Sequence, residues 1–242
     1  MTGRNEQKKM PRKLNFHGRK KGKRLSSLQA RYIEEYLPKI SLISNKCLDN
    51  KKQLNLNKCF DFDCPIYMEI GFGGGEHLVG LARRNRHAGI LGCEPYVNGV
   101  AKLLSKLINS DITNVRILMD DARKIFNLIP EASISKIFLL FPDPWPKKKH
   151  LKRRILNHNF LDKMNHLMLE GGEFLFSSDD ARYARLVVEL ASIRKDFSWC
   201  PKSCRDWLFR PECSIETRYE RKAIQQGRKN TYINLRKTSS LQ

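Results

Sequence analysis

Two stretches of this 242-residue chain combine side chains whose chemistry packing alone does not explain. The first is Phe141-Pro142-Asp143-Pro144-Trp145-Pro146-Lys147-Lys148-Lys149-His150, where an acid and an indole alternate with three prolines. Proline fixes its own φ and restricts the residue before it, so the loop is stiff and displays Asp143 and Trp145. Six Lys/Arg and no acid then occupy residues 147–154. A carboxylate, an aromatic plate and a cationic tract together suit a nucleic-acid base stacked on its phosphate backbone. A rigid turn with Trp145 in the core would account for the loop but not for the charge behind it.

The second stretch is Glu69-Ile70-Gly71-Phe72-Gly73-Gly74-Gly75-Glu76. Glycines such as Gly71 and Gly73 let a strand turn sharply into a helix and bring backbone close to a ligand. A dinucleotide-binding turn needs a third glycine where Glu76 stands, and an acid at the helix opening repels a pyrophosphate. With Glu69 adding negative charge, the turn suits a cofactor that is cationic and carries no phosphate. S-adenosylmethionine, with an ammonium and a sulfonium, meets that description; NAD does not. Glu94, at the end of the next apolar run, stands where an acid accepts from ribose hydroxyls. Asp120 and Asp121 end the run after that, and Asp121 is the first choice for the adenine edge, although aspartate here also reads as a helix cap.

These residues need strands to carry them. Strands are expected at Ile66–Gly71, Ile90–Glu94, Val115–Asp120, Ile134–Phe141 and Glu173–Ser178. Between them, helices are expected at Glu76–Arg86, Tyr96–Asn109, Ala122–Leu128 and Asn159–Leu169, the last closed by Gly171-Gly172, with another at Asp180–Lys195. Two further strand candidates lie around Phe197–Cys200 and Thr231–Leu235. Ser26–Gln29 reads as a capping box opening a helix that ends at Pro38 and buries Leu28, Tyr32, Ile33, Tyr36 and Leu37. Residues 43–64 read as a loop. The alternation predicts an α/β fold: a Rossmann-like, doubly wound, mostly parallel sheet in a single domain over residues 25–242.

The net charge of +21 is unevenly spread. Residues 1–24 hold ten Lys/Arg and one Glu, and residues 218–237 hold seven and one Glu. With the tract at 147–154 these blocks carry the whole surplus, a pattern that reads as a phosphate-binding footprint. Residues 1–24 are too polar to fold alone and are expected to form a flexible basic arm. The longest clean apolar run, Ile137–Phe141, is too short to cross a membrane, and no secretory leader is evident, so a cytoplasmic protein is expected. The seven cysteines, including the Cys59/Cys64 and Cys200/Cys204 pairs, lack zinc-site spacing, so neither a metal nor a disulfide is expected.

The Glu69–Glu76 turn, the Pro142–Lys147 loop running on to Lys152-Arg153-Arg154, Ser178-Asp179 and Thr217-Arg218-Tyr219-Glu220 together resemble the bacterial tRNA (guanine-N7-)-methyltransferase family, over roughly residues 18–237. The resemblance implies a class I, S-adenosylmethionine-dependent enzyme that methylates a guanine in the tRNA variable loop, as monomer or homodimer. It implies that Glu69, Glu94, Asp121 and Asp143 line the cofactor and active site. It further implies that Lys147, Asp179, Thr217, Arg218, Tyr219 and Glu220 bind substrate, and that Lys149, His150, Leu151, Lys152, Arg153 and Arg154 contact RNA. Without it, Thr217–Glu220 reads as an exposed turn. On that basis Asp143 is the catalytic candidate, stabilising a purine that becomes cationic, while Asp179 and Glu220 accept from the guanine N1–H and 2-amino group. Methylation of an exocyclic amine and RNA binding without catalysis are the competing readings. Asp180, where the family pattern suggests another residue, and the poorly matching 43–64 segment are departures.

Overall fold

The structure is a computed structural model and describes residues 15–44, 47–48, 53–60, 62–199, 201, 203 and 205–238. Its strands are β1 (Ile66–Ile70), β2 (Gly89–Cys93), β3 (Val115–Leu118), β4 (Ile134–Leu140), β5 (Met168–Ser178), β6 (Phe197–Ser198) and β7 (Thr231–Lys237). They form one sheet in the order β3-β2-β1-β4-β5-β7-β6. β1 to β5 run parallel, while β7 is antiparallel to both of its neighbours. Every residue of β1 and of β2 is buried, as expected of central strands covered on both faces.

The helices are α1 (Ser27–Glu35), α2 (Leu56–Phe60), α3 (Glu76–Arg84), α4 (Val97–Ile108), α5 (His158–Leu167), α6 (Ala181–Ser192) and α7 (Arg218–Gln225). Two apolar layers sandwich the sheet. One gathers Leu78, Leu81, Val100, Leu103 and Leu104 of α3 and α4. The other gathers Phe60, Phe160, Leu161, Tyr183 and Val187 of α2, α5 and α6. Each such side chain contributes about 2 kcal/mol by leaving water.

Several expectations need correction. The predicted capping box exists, with Gln29 N donating to Ser26 Oγ at 3.2 Å, but α1 buries no residue fully and Leu28 is exposed. Ala122–Leu128 forms only a three-residue 3-10 turn, Ala122–Lys124. α5 stops at Leu167, and β5 begins at once and passes through Gly171-Gly172, beside a register shift in its pairing with β4. The segment read as a loop over 43–64 contains α2 and supplies Leu54, Leu56, Cys59 and Phe60 to the core. At the end of the expected basic arm, residues 20–23 contact α4. Val97 N donates to Lys20 O at 3.0 Å, Gly22 N to Asn98 Oδ1 at 2.8 Å, and Asn98 Nδ2 to Lys23 O at 2.7 Å, so residues 20–23 are laid along the start of α4. Residues 1–14, Cys200 and Cys204 lie outside the described residues. Among the described residues, no helix is long and apolar enough to cross a membrane, and no cluster of three His, Cys, Asp or Glu could hold a metal.

Candidate active site

The strand order reverses beside β1, where β2 leaves on one side and β4 on the other, and a crevice opens there beyond the carboxyl ends of the strands. It is a cavity of about 630 Å³. The turn after β1, Glu94 after β2, Asp121 after β3 and the Phe141–Trp145 loop after β4 all line it.

The glycine turn is shaped for close approach. Gly71 and Gly73 have φ of 78° and 56°, and a Cβ on Gly71 would meet no atom within 4 Å, which leaves its cavity side open. A Cβ on Gly99 would stand 2.4 Å from Gly73 O, so α4 is seated directly against the turn. Glu94 fastens the assembly. Its carboxylate accepts from Gly73 N at 2.7 Å and Tyr96 N at 2.8 Å. Burial pushes the Glu94 carboxyl above its usual range; those two N–H groups pull it back, and the charges of Glu69 and Asp143 push it further up.

The charge of Glu76 is countered by its neighbour. Lys106 Nζ lies 2.9 Å from Glu76 Oε1, and although burial opposes it, that contact holds the carboxyl below its usual range. Glu94 takes over the exclusion of phosphate, because it already occupies the Gly73 N–H that a pyrophosphate would need. Asp121, not Asp120, faces the cavity. Asp121 caps the 3-10 turn through Arg123 N at 3.0 Å and chelates the Arg123 guanidinium, while Asp120 pairs with Lys124. Arg123 also donates to Asn15 O at 3.1 Å, which draws the arm across the cavity mouth. Glu69 sits below the wall, 2% exposed and against His77.

The proline loop is held in a costly conformation. Phe141 and Trp145, each preceding a proline, have φ of 50° and 42°. Arg154 fixes the loop from behind. Its Nε donates to Pro144 O at 2.7 Å, its guanidinium lies 4.5 Å from the Tyr183 ring centre, and it is 8% exposed. In this structure Arg154 clamps the loop, and 8% exposure leaves little of it for the RNA contact expected of it. Arg154→Leu is expected to lower stability by about 2 kcal/mol, read by urea unfolding, because Pro144 O loses a charged donor; an unchanged midpoint would refute the clamp. Trp145 is half-buried, with His17 and His150 edge-on at 6.4 and 5.8 Å and the Arg153 guanidinium 4.9 Å from its centre. Lys147 opens a 3-10 turn, Lys148–Arg153, that leaves Lys148, Lys149, Leu151 and Lys152 exposed.

Asp143 stands exposed on the loop, and its carboxylate has no hydrogen-bond or ion-pair partner among the described residues. Asp179, after β5, is paired with Arg228. The departure at Asp180 has a local reason, since its side chain caps α6 through Tyr183 N at 2.9 Å.

Thr217–Glu220 divides in two. Thr217 and Glu220 form a second capping box, with Glu220 N donating to Thr217 Oγ1 at 3.0 Å and Thr217 N to Glu220 Oε2 at 3.3 Å. Tyr232 OH donates to Glu220 Oε1 at 2.6 Å, and Arg210 Nε lies 3.3 Å from the same oxygen. Both Glu220 oxygens hold α7 in this structure, and Glu220 is only 4% exposed. Arg218 and Tyr219 line the cavity instead, Tyr219 directly over Gly73. Thr217→Ala is expected to cost about 1 kcal/mol in chemical denaturation by loss of the cap; no loss would return Thr217 to a direct role.

Phe16, His17, Arg19, Lys102, Arg123 and Lys222 also line the cavity and were not foreseen. One signal was available in the arm: Phe16 and His17 are the ring side chains that interrupt its charges.

A seven-stranded sheet in this order, with β7 inserted antiparallel and the cavity at the glycine turn, is the class I methyltransferase architecture. A solved structure titled as the 16S rRNA methyltransferase KamB shares the fold with a TM-score of 0.57 at 15% identity, covering 79% of this chain and 95% of that one. The family described as "Putative methyltransferase" matches residues 63–233. The tRNA (guanine-N(7)-)-methyltransferase of Jannaschia sp. (strain CCS1) is 39% identical over 228 residues, covering 93% of this chain and 95% of the relative. That of Chelativorans sp. (strain BNC1) is 40% identical over 219 residues, covering 90% and 93%. The chain belongs to the tRNA (guanine-N(7)-)-methyltransferase family.

Proposed function

We propose that this protein transfers a methyl group from S-adenosylmethionine to N7 of a guanine in the variable loop of tRNA, in the cytoplasm. The observation that carries the reading is Asp143, a carboxylate without a hydrogen-bond or ion-pair partner among the described residues, on a rigid loop at the cavity. The open glycine turn and the acids Glu94 and Asp121 on the cavity wall support the cofactor, the acids being read as acceptors for ribose and adenine. When bound, the cofactor would supply a sulfonium methyl that a neutral nucleophile can accept, the sulfur leaving as a neutral thioether.

Guanine N7 has a lone pair and no proton, so the chain needs no base before the transfer. Its task is alignment, and Trp145, Arg218 and Tyr219 supply the walls that orient the purine. The ring gains positive charge as the methyl arrives, and the Asp143 carboxylate stabilises that charge more than the neutral ground state. Asp179, with Arg228 as an exchangeable partner, accepts from the donor edge of guanine. Lys147, Lys149, His150, Lys152 and Arg153 track the RNA backbone.

The test is methyl transfer from labelled S-adenosylmethionine to unmodified bulk tRNA, followed by nucleoside analysis. Label in 7-methylguanosine supports the reading. Label in another nucleoside overturns the base, and no label overturns the activity.

A further inference from the structure

Five consecutive residues of the cavity wall belong to no strand or helix. Asn15, Phe16, His17, Gly18 and Arg19 line it beside Glu94, Asp121 and the loop after β4. The stretch from 15 to 24 holds five Lys/Arg and two glycines, and Phe16 is its one apolar side chain. Apolar burial cannot hold such a segment against the entropy of ordering it. Polar contacts hold it instead, from two sides of the cavity. On one side Arg123 Nη2 donates to Asn15 O at 3.1 Å. On the other, α4 begins without a side-chain cap, and Val97 N donates to Lys20 O at 3.0 Å. Asn98 then uses both ends of its amide on the backbone. Its Oδ1 accepts from Gly22 N at 2.8 Å, and its Nδ2 donates to Lys23 O at 2.7 Å. The approach is close: a Cβ on Gly22 would stand 2.2 Å from Tyr96 Oη. Asn98 itself does not line the cavity.

We propose that Asn15–Arg19 is part of the methyl-donor site, closing over its adenosine end, and that Asn98 is the positioning residue that keeps the segment there. Arg123 indicates which end, because it bridges Asn15 and Asp121, the acid read as the adenine acceptor. The proposal rests on the methyl-donor reading above. Asn98 acts only through the backbone of residues 22 and 23, so its loss frees the wall without removing a group that touches the ligand. Apparent affinity then falls by the fraction of molecules in which the wall is still in place.

The test titrates S-adenosylhomocysteine, and 5′-methylthioadenosine, which shares its adenosine, into full-length protein by calorimetry. Asn98→Ala is expected to weaken both ligands by about tenfold, the order of effect when two hydrogen bonds holding the wall are lost. The urea midpoint should stay where it is, because alanine is the better helix former in α4. At saturating tRNA, the KM for S-adenosylmethionine should rise by a similar factor with kcat retained. Gly22→Val unseats the same segment by steric clash and is expected to match Asn98→Ala. The double variant should bind no worse than either single one, since both changes break one contact. Unchanged affinity in Asn98→Ala overturns the inference, as do additive losses in the double variant or weakening of S-adenosylhomocysteine alone. Should Asn98→Ala fail to fold, Gly22→Val, outside every helix and strand, carries the same comparison. Failure of the wild-type protein to bind either ligand sinks the methyl-donor reading itself. Wild-type binding with unaffected variants sinks this inference alone.

Discussion

Asp143→Asn is expected to lower the rate of methyl transfer by about 10²- to 10³-fold while leaving the fold intact. Asparagine keeps the shape and polarity of the side chain and removes only its charge. Opposite unit charges about 4 Å apart are worth about 4 kcal/mol at the effective dielectric of a partly exposed site, enough for an effect of that size. Stability should be almost untouched, because Asp143 is exposed and forms no side-chain hydrogen bond or ion pair among the described residues. Single-turnover rates at saturating cofactor and tRNA, together with calorimetry of cofactor binding, separate the possible contacts. A fall in rate at constant cofactor affinity places Asp143 at the base. A fall in affinity alone places it at the cofactor, and an unchanged rate removes it from the chemistry.

The second large effect concerns salt. If the three basic blocks together make six or more phosphate contacts, affinity for tRNA should drop by about 10³-fold between 50 and 200 mM salt. Alanine at Lys148, Lys149 and Lys152 should weaken binding and reduce the steepness of the log–log plot by about two to three units, roughly one per lost contact. These three lysines are exposed on the 3-10 turn and anchor nothing in the fold, so the change reports RNA alone. Arg153 and Arg154 are poor choices for this experiment: one covers Trp145 and the other clamps the proline loop. Filter binding across a salt series is sufficient, and a flat response would end the footprint argument.

The sheet could be read from the chain because its strands are short apolar runs, and the acids at their ends stand out against them. What sequence reasoning missed has three physical sources. α7 went unseen because it buries only Glu220 and Ala223 and so has no apolar stripe. Its start was nevertheless written in Thr217-x-x-Glu220, the same pattern that located α1 at Ser26–Gln29. The end of α5 was misplaced because Gly171-Gly172 resembles a helix stop, whereas the strand begins at Met168 by pairing with Ile134, a partner distant in sequence. The docked arm and the buried Arg154 depend on backbone oxygens of Asn15 and Pro144, and no composition or spacing rule identifies such acceptors. In each case the deciding contact is long-range or polar, while the readable part of the fold is local and apolar.

The left-handed backbone at Phe141 and Trp145 sets the loop's thermal behaviour against its chemistry. Each such residue holds about 1–2 kcal/mol of conformational free energy that a relaxed loop would release. Relaxation would swing the acid and the indole away from the cavity, so heat resistance gained at these two positions would come at the expense of turnover. Within this fold, the loop after β4 is thus a place where heat resistance and chemistry pull in opposite directions.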